Sequence, residues 1–496
     1  DPPDRSQYKQ VPDTKRYGTL RGLWVKKEIH DDLVNSAAPE WRDEQLQWAH
    51  NQWRRAVSWW KASKTSLNVP AGHIRNHVSG SFQAQLFGQV PVHRLPDLYL
   101  STMRDIARNG AGWQAAKRHG VRSTSFAQAE LMKIHDEFKL KLGLKHYKHN
   151  PTRLVIEAAS RLVNAAGDAY SANEQFWKTL VMKYHMGRGM PEAEAAELAH
   201  TAIFDYSLVP NWLRALRENL PFGAPFATFM YKALPLSLEA MFKRPWAYWP
   251  YAAMIWGTFA ALSHYQDLDD EDIASLKELL PEWLGHTQTV ILPFKDQHGR
   301  WLPVDLSYFF PFGGWLKAAG HLGDGQVIDA LGEIGLGGHP GMNIPASLKH
   351  NRDGLGRPIW EEGDPAAEQA LDIFAFLAAQ GLPPQFAPGG SLNQLYDAIQ
   401  GIPDRYGNPQ RTPAEAASRV MGFTTQPMDT EVARMRGAWQ RVSKIRDAEQ
   451  RAREIARDRS LSEDQKRQML ERQLAHIRKL AQELKEWQAK VARAPK

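Results

Sequence analysis

The chain has 496 residues, of which 24% are charged and 43% hydrophobic, and it carries a formal net charge of +7. That is the composition of an ordinary folded protein, long enough for two to four domains. It has no cysteine, which excludes disulfides, thiolate metal sites and cysteine catalysis.

Residues 1–150 hold 24 basic against 14 acidic residues, and 429–496 hold 18 against 11. Two basic ends therefore flank an acidic, apolar middle. Basic surfaces bind nucleic acid or anionic lipid through counterion release, or are simply solvated faces. Eighteen tryptophans are many. Interfaces and membrane surfaces both favour this side chain, which joins a large apolar area to a polar handle.

The chain opens at Asp1 without a signal peptide, and DPPDRSQYKQVPD reads as the end of a linker. The expectation is a processed product or one part of a longer chain. Residues 1–40 form an extended arm. Trp41 to Ala62 is strongly helical, with Trp41, Trp48, Trp53, Trp59 and Trp60 on more than one face. The helix breaks at Asn68-Val-Pro70. Further helices are predicted over Phe82–Phe87, Leu95–Asn109, Gly112–His119 and Ser125–Leu142. His146 and His149 lack partners for a metal site and read as a surface turn.

Pro151 to Tyr206 reads as all helical, with Pro191 in the first turn of its second helix. Pro210, Pro221, Pro225 and Pro235 are expected to divide the next stretch into short or kinked pieces. Arg214 and Arg217 share one face of Asn211–Asn219.

Pro245 to Ser263 then runs 19 residues without a charge. As a helix it would reach roughly 28 Å, close to the thickness of a bilayer's hydrocarbon layer. Trp246, Tyr248, Trp249 and Tyr251 crowd one end, as in an aromatic belt. Met254, Ile255, Trp256 and Phe259 continue the run. Lys243 and Arg244 precede it and an acidic run follows, which would keep the N-terminal flank cytoplasmic in a span. Pro250 and Gly257 weaken a regular span. Membrane insertion and a buried core helix both stay open here.

Asp267, Asp269, Glu271 and Glu278 fall at positions one, three, five and twelve of a calcium loop. Position six needs glycine and has Asp272. Helix N-capping by Asp269 or Asp270 explains the run more cheaply.

TQTVILPF and RWLPVDLSYFF predict a β-hairpin with its turn near Gly299. Loops fill 311–365, and Gly335-Leu-Gly337 lacks the pattern of a dinucleotide loop. A helix is expected over Ala366–Gln380, then a loop-rich stretch with a short helix near Pro413–Met421. Thr430 to Arg459 is one helix. Ser462 with Gln465 forms a capping box for a second, over 463–492. Val432, Met435, Trp439, Val442, Ile445, Ala452 and Ile455 match Leu470, Leu474, Ile477, Ala481, Leu484 and Val491 as apolar stripes. Together they predict an antiparallel helical hairpin with its positive charge outside.

The expected fold is mainly α: an elongated multi-helical protein with one small β-hairpin and a C-terminal antiparallel helical hairpin. Its regions are an arm over 1–40, a basic Trp-rich region over 41–150 and a helical core over 151–285. A hairpin and loop region over 286–428 and the basic helical hairpin over 429–496 follow.

Common catalytic patterns are missing. There is no Walker loop, no HExxH and no GxSxG. His135-Asp136-Glu137 reads as helical surface, and no carboxylate pair is singled out.

RYGTLRGLWVKKEIHDDL, SWWKASKTSLNVPAGHIRN, FDYSLVPNWLRALRENLPFGAPFATFMYKALP, LPFKDQHGRWLPVDLSYFFPFG, NRDGLGRPIW and the final hairpin occur in this order. Together they resemble the large polyvalent-protein-associated regions of bacteriophage internal virion proteins, over nearly the whole chain. The resemblance implies no catalytic residue, no metal and no cofactor.

It implies a structural ejection protein, located in the capsid or tail interior and delivered into the host envelope or cytoplasm. Its expected partners are copies of itself, other ejection, portal or tail proteins, phage DNA and the host inner membrane. The membrane-insertion candidates are Trp246, Tyr248, Trp249, Tyr251, Met254, Ile255, Trp256 and Phe259. The candidates for DNA or lipid contact are Arg441, Lys444, Arg451, Lys466, Arg467, Arg472, Arg478 and Lys479. The alternatives are a DNA-binding module and a portal- or tail-docked scaffold that enters no membrane.

Overall fold

A computed structural model describes residues 8–11, 20, 22–27, 29–30, 52, 59–60, 62–121, 151–204, 210, 213, 227–281, 284, 289–306, 309–310, 344–345, 347–349, 351, 353, 358–360, 363–403, 411–423, 425–458 and 460–495. For 151–164, 227, 228 and 230 only the backbone is described. The helices predicted over Ser125–Leu142 and Asn211–Asn219, most of Trp41–Ala62, and His135, His146 and His149 lie outside these residues.

The fold is mainly α and divides into two compact units. The first comprises 1–245 and 317–393, the second 246–316 and 394–496.

In the first unit, strands β1 (Tyr8–Gln10) and β2 (Trp24–Lys26) pair antiparallel. The helices are α1 (Ala71–Leu86), α2 (Leu95–Ala107), α3 (Ala111–Arg118), α4 (Pro151–Met186), α5 (Glu192–Ala202), α6 (Ala227–Lys243) and α9 (Ala366–Gly381).

α4 is the centre, with α1, α2, α3 and α5 packed against it. Phe176, Trp177, Leu180, Val181 and Met182 are all buried, as a helix covered on every side requires. Each such side chain contributes roughly 1.5–3 kcal/mol by leaving water. Two histidines here find partners. The His185 ring bonds the Gly88 carbonyl at 2.8 Å. The His77 ring meets Asn173 Oδ1 at 2.5 Å and the Tyr99 hydroxyl at 2.9 Å. α9 is fastened by groups over 300 residues away in sequence. Trp59 Nε1 donates to the Gly381 carbonyl, and Lys64 Nζ to those of Ala379 and Leu382. Those carbonyls lie at the negative end of the helix dipole, where a cation is favoured.

Two expectations fail here. The predicted Phe82–Phe87 helix is the end of a longer one that starts at Ala71. Pro235 does not end a short helix: α6 continues through it. Pro235 is exposed, while Ala233, Ser237 and Ala240 bury the opposite face. One lost backbone bond on the solvent side is offset by that packing.

The second unit contains α7 (Trp249–Gln266), α8 (Asp270–Glu278), β3 (Thr289–Lys295), β4 (Trp301–Asp305), α11 (Pro413–Val420), α12 (Thr430–Arg457) and α13 (Glu463–Val491). α10 (Ser391–Gln400) contributes its residues from Gln394 on. β3 and β4 form the expected hairpin, with Val290 opposite Val304 and Gly299 at φ +75° in its turn. That left-handed angle suits glycine. Met428 and Thr425 extend the sheet by bridging Trp301 and Val304.

The core gathers Leu262 of α7, Ile273 and Leu276 of α8, Ile291, Trp301, Met428, and Trp487 and Val491 of α13. Asp269 caps α8 in a capping box with Asp272, as the cheaper reading of the acidic run held. Ser462 and Gln465 do the same for α13. α12 and α13 pack as a helical hairpin.

The seam of that hairpin differs from the predicted stripes. Val432, Met435 and Trp439 are exposed. Trp487 instead enters where Gly437 leaves room: a methyl on Gly437 would lie 2.5 Å from its ring. A small residue therefore sets the contact at this end of α12, while Val442, Ile445 and Ile455 further along the predicted stripe are half-buried.

Candidate interaction surfaces

α7 carries the aromatic candidates. The apolar run does not form one continuous α-helix. Pro245–Tyr248 is a 3-10 turn, and α7 starts at Trp249 and ends in the polar His264-Tyr265-Gln266. Among the described residues, no helix is long and apolar enough to cross a membrane. The spanning expectation is corrected accordingly.

The core-helix alternative holds for one face only. Tyr251 and Leu262 are buried, and Phe259 packs half-buried on the core under the Lys277 ammonium. Tyr251 meets Phe310 edge-on at 5.2 Å, and burial pushes its hydroxyl's pKa upward. Tyr248 and Ile255 are half-buried.

The other face is open. Trp246, Trp249 and Trp256 are 63%, 61% and 60% exposed, and Met254 is exposed beside them. The Trp249 and Trp256 rings stand 6.1 Å apart, with Ala253, Gly257 and Ala260 exposed along the same side. A helix apolar all round is ordinarily covered all round. This one presents a charge-free aromatic strip on a folded scaffold, the property of surfaces that meet a partner.

The basic candidates do not converge. Arg441 is structural: its guanidinium lies 4.2 Å over the Trp487 ring and donates to the Gly437 carbonyl. Lys466 pairs with Glu463 at 2.9 Å, Arg467 with Glu471 at 3.3 Å and Lys479 with Glu483 at 3.7 Å. Such pairs within one helix are worth a few tenths of a kcal/mol. Lys444, Arg451, Arg472 and Arg478 face solvent.

The acids of the supposed calcium loop are engaged elsewhere. Glu278 pairs with Lys490 at 3.2 Å, and Glu271 pairs with Arg493. Among the described residues no three His, Asp or Glu side chains converge as metal ligands.

A buried ionic cluster escaped the sequence reading. The Asp296 carboxylate is 2% exposed and Glu415 5%. Asp296 Oδ1 accepts from the backbone N–H groups of His298 and Arg300, and Oδ2 accepts from Arg300 Nε at 2.7 Å. These donors and the Arg300 charge hold Asp296 below its ordinary value, against its burial. Glu415 Oε2 accepts from the Thr412 N–H at 3.0 Å and lies 3.7 Å from the Arg300 guanidinium. Arg411 donates to Gln394 and Gln426, both at 2.9 Å. Its signals were short: a Thr-x-x-Glu capping box at Thr412 and an Asp-x-x-Gly turn at Asp296. Neither tells that the two elements meet.

Comparison of the chain with family models, with curated proteins and with solved structures found no match.

Proposed function

We propose that this chain is a structural virion protein of a tailed phage, packaged in the particle and ejected with the genome. It acts by packing helical surfaces against copies of itself and against other ejection, portal or tail proteins, so helping to form a DNA conduit across the host envelope. The order of sequence motifs supports the class. The single structural observation that supports the mode of action is the exposed Trp249–Trp256 strip of α7. Its opposite face is anchored in the core by Tyr251 and Leu262. A helix so anchored docks onto a partner or rests on a membrane surface rather than leaving its unit to insert.

The test is the double variant Trp249→Glu and Trp256→Glu in the full chain. Both side chains are at the surface, so stability is expected to change by about 0.5 kcal/mol or less. Concentration-dependent association in sedimentation velocity is expected to disappear. Association equal to the wild type in the folded variant would remove α7 as the docking strip.

A second reading is favoured by the exposed arginines of α12 and α13: a module that touches DNA. Arg451→Glu, Arg472→Glu and Arg478→Glu together are then expected to weaken duplex binding. The slope of log affinity against log salt should fall by about one for each phosphate no longer neutralised. Unchanged affinity and slope would eliminate the hairpin as a DNA surface.

A further inference from the structure

The second unit holds two carboxyls where one charge is already fully provided for. Asp296 sits in the β3–β4 turn, and its oxygens take three donors from the turn itself. Glu415 comes from α11, at the third position after the Thr412 cap. Its Oε2 closes the capping box, while Oε1 is buried without a hydrogen-bond partner. An unpaired oxygen on a buried carboxylate carries a desolvation cost. A proton on the carboxyl removes the charge and lets it donate to the Asp296 side chain with which it interacts.

We propose that Glu415 is a proton-operated latch on the joint between the β3–β4 turn and α11, closed when its carboxyl is protonated and loosened when it ionises.

Each element around Glu415 brings its own groups to face it. The turn provides Asp296 and Arg300, with the exposed His298 giving only its backbone N–H to Asp296. The α11 side provides Arg411, which also meets Arg419. α10 and the 425–428 segment provide the uncharged Gln394 and Gln426, both on Arg411. Burial, Arg419 and Arg300, opposed by Glu415, push the Arg411 guanidinium down to about 10, so it stays charged at neutral pH. Burial first, and then the Asp296 charge, raise the Glu415 carboxyl above its ordinary 4.5.

The signs are opposite for the two acids. Glu415 binds its proton more tightly in the folded joint than in the unfolded chain. Its contribution is full below pH 4.5 and is lost as pH rises through the folded value. Asp296 is depressed, so its contribution is full above 3.8 and is lost as pH falls through its folded value. The joint is therefore tightest in mild acid, with Asp296 ionised and Glu415 protonated. It loosens toward neutral and alkaline pH.

What the latch controls is visible in the chain path. Gln426 N–H bonds the Pro303 carbonyl at 3.0 Å, and Trp301 exchanges two backbone bonds with Met428. α12 begins two residues beyond Met428. Loosening the joint frees the lead-in to the basic hairpin.

The experiment is hydrogen exchange with mass-spectrometric readout on the full chain at pH 5 and pH 8, corrected for intrinsic exchange. In the wild type, protection of 413–420 and 425–428 is expected to be lower at pH 8 than at pH 5, the direction that the raised Glu415 carboxyl sets. Glu415→Gln carries the neutral, donor-bearing form at every pH, and is expected to keep full protection at pH 8. Asp296→Asn removes the repelling charge. It should shrink the pH ratio in 413–420 even where the turn itself loses protection. A wild-type ratio near one, or an unaltered ratio in both variants, would overturn the latch.

Discussion

Replacing Trp487 with alanine is expected to cost the second unit roughly 3–5 kcal/mol, the range for a large buried aromatic. Trp487 is 5% exposed and ties α8, α12 and α13 together. Its ring fills the space over Gly437 and lies under the Arg441 guanidinium. Its indole N–H donates to the Glu278 carbonyl at 3.1 Å, at the end of α8. Truncation opens a cavity between α12 and α13 and leaves that carbonyl without its donor. A whole domain is stable by only about 5–15 kcal/mol, so the loss is a large share. Chemical denaturation followed by circular dichroism reads it directly. A loss under about 1 kcal/mol would mean that the hairpin is held chiefly by other packing.

Two helical glycines should respond to alanine with opposite signs. In α1, a methyl on Gly80 would lie 2.3 Å from Trp177 Cδ1. Trp177 is hemmed in by His77 at 5.0 Å and Phe176 at 5.1 Å, so its ring has nowhere to go. Overpacking of this kind costs about 1–3 kcal/mol, and the helix-propensity gain of alanine offsets about 1. The clash wins, and Gly80→Ala is expected to destabilise the first unit by up to about 2 kcal/mol. Gly257 in α7 has nothing within 4 Å of the same methyl. There only propensity acts, and Gly257→Ala should stabilise by about 0.5–1 kcal/mol. Equal effects at both positions would contradict the packing described for α1 and α4.

Gly80 also shows why part of the fold was hidden in the sequence. Glycines, histidines and Asn76 make Ala71–Leu86 a poor helix on propensity, and only the Trp177 ring explains why Gly80 stands there. Elements whose signals are local were legible. The Ser462–Gln465 box placed α13 within a residue, and the Gly299 turn placed the β3–β4 hairpin, although β4 ends at Asp305, five residues short of the predicted strand end. Elements defined by distant partners were not. Nothing near Trp59 or Lys64 reveals that they hold the end of α9.

The first part of the α12 stripe, Val432 to Trp439, misled for a related reason. Heptad spacing was read from large apolar residues, whereas Trp487 needed a small one opposite. On α7 the run of apolar residues announced an unusual helix. Periodicity could not say which side was covered, because the apolar character goes all the way round. The open side became visible only when Tyr251 and Leu262 were seen in the core. The Asp296–Glu415 pair, 119 positions apart in the chain, belongs to the same class of hidden feature.

The most direct measurement is quantitative mass spectrometry of this chain in purified phage particles, full and after release of their DNA. An ejected structural protein is expected at a fixed copy number in full particles and to be depleted from emptied ones. Equal amounts in both would contradict ejection and make the chain a fixed portal or tail component. Absence from both would contradict its place in the virion altogether.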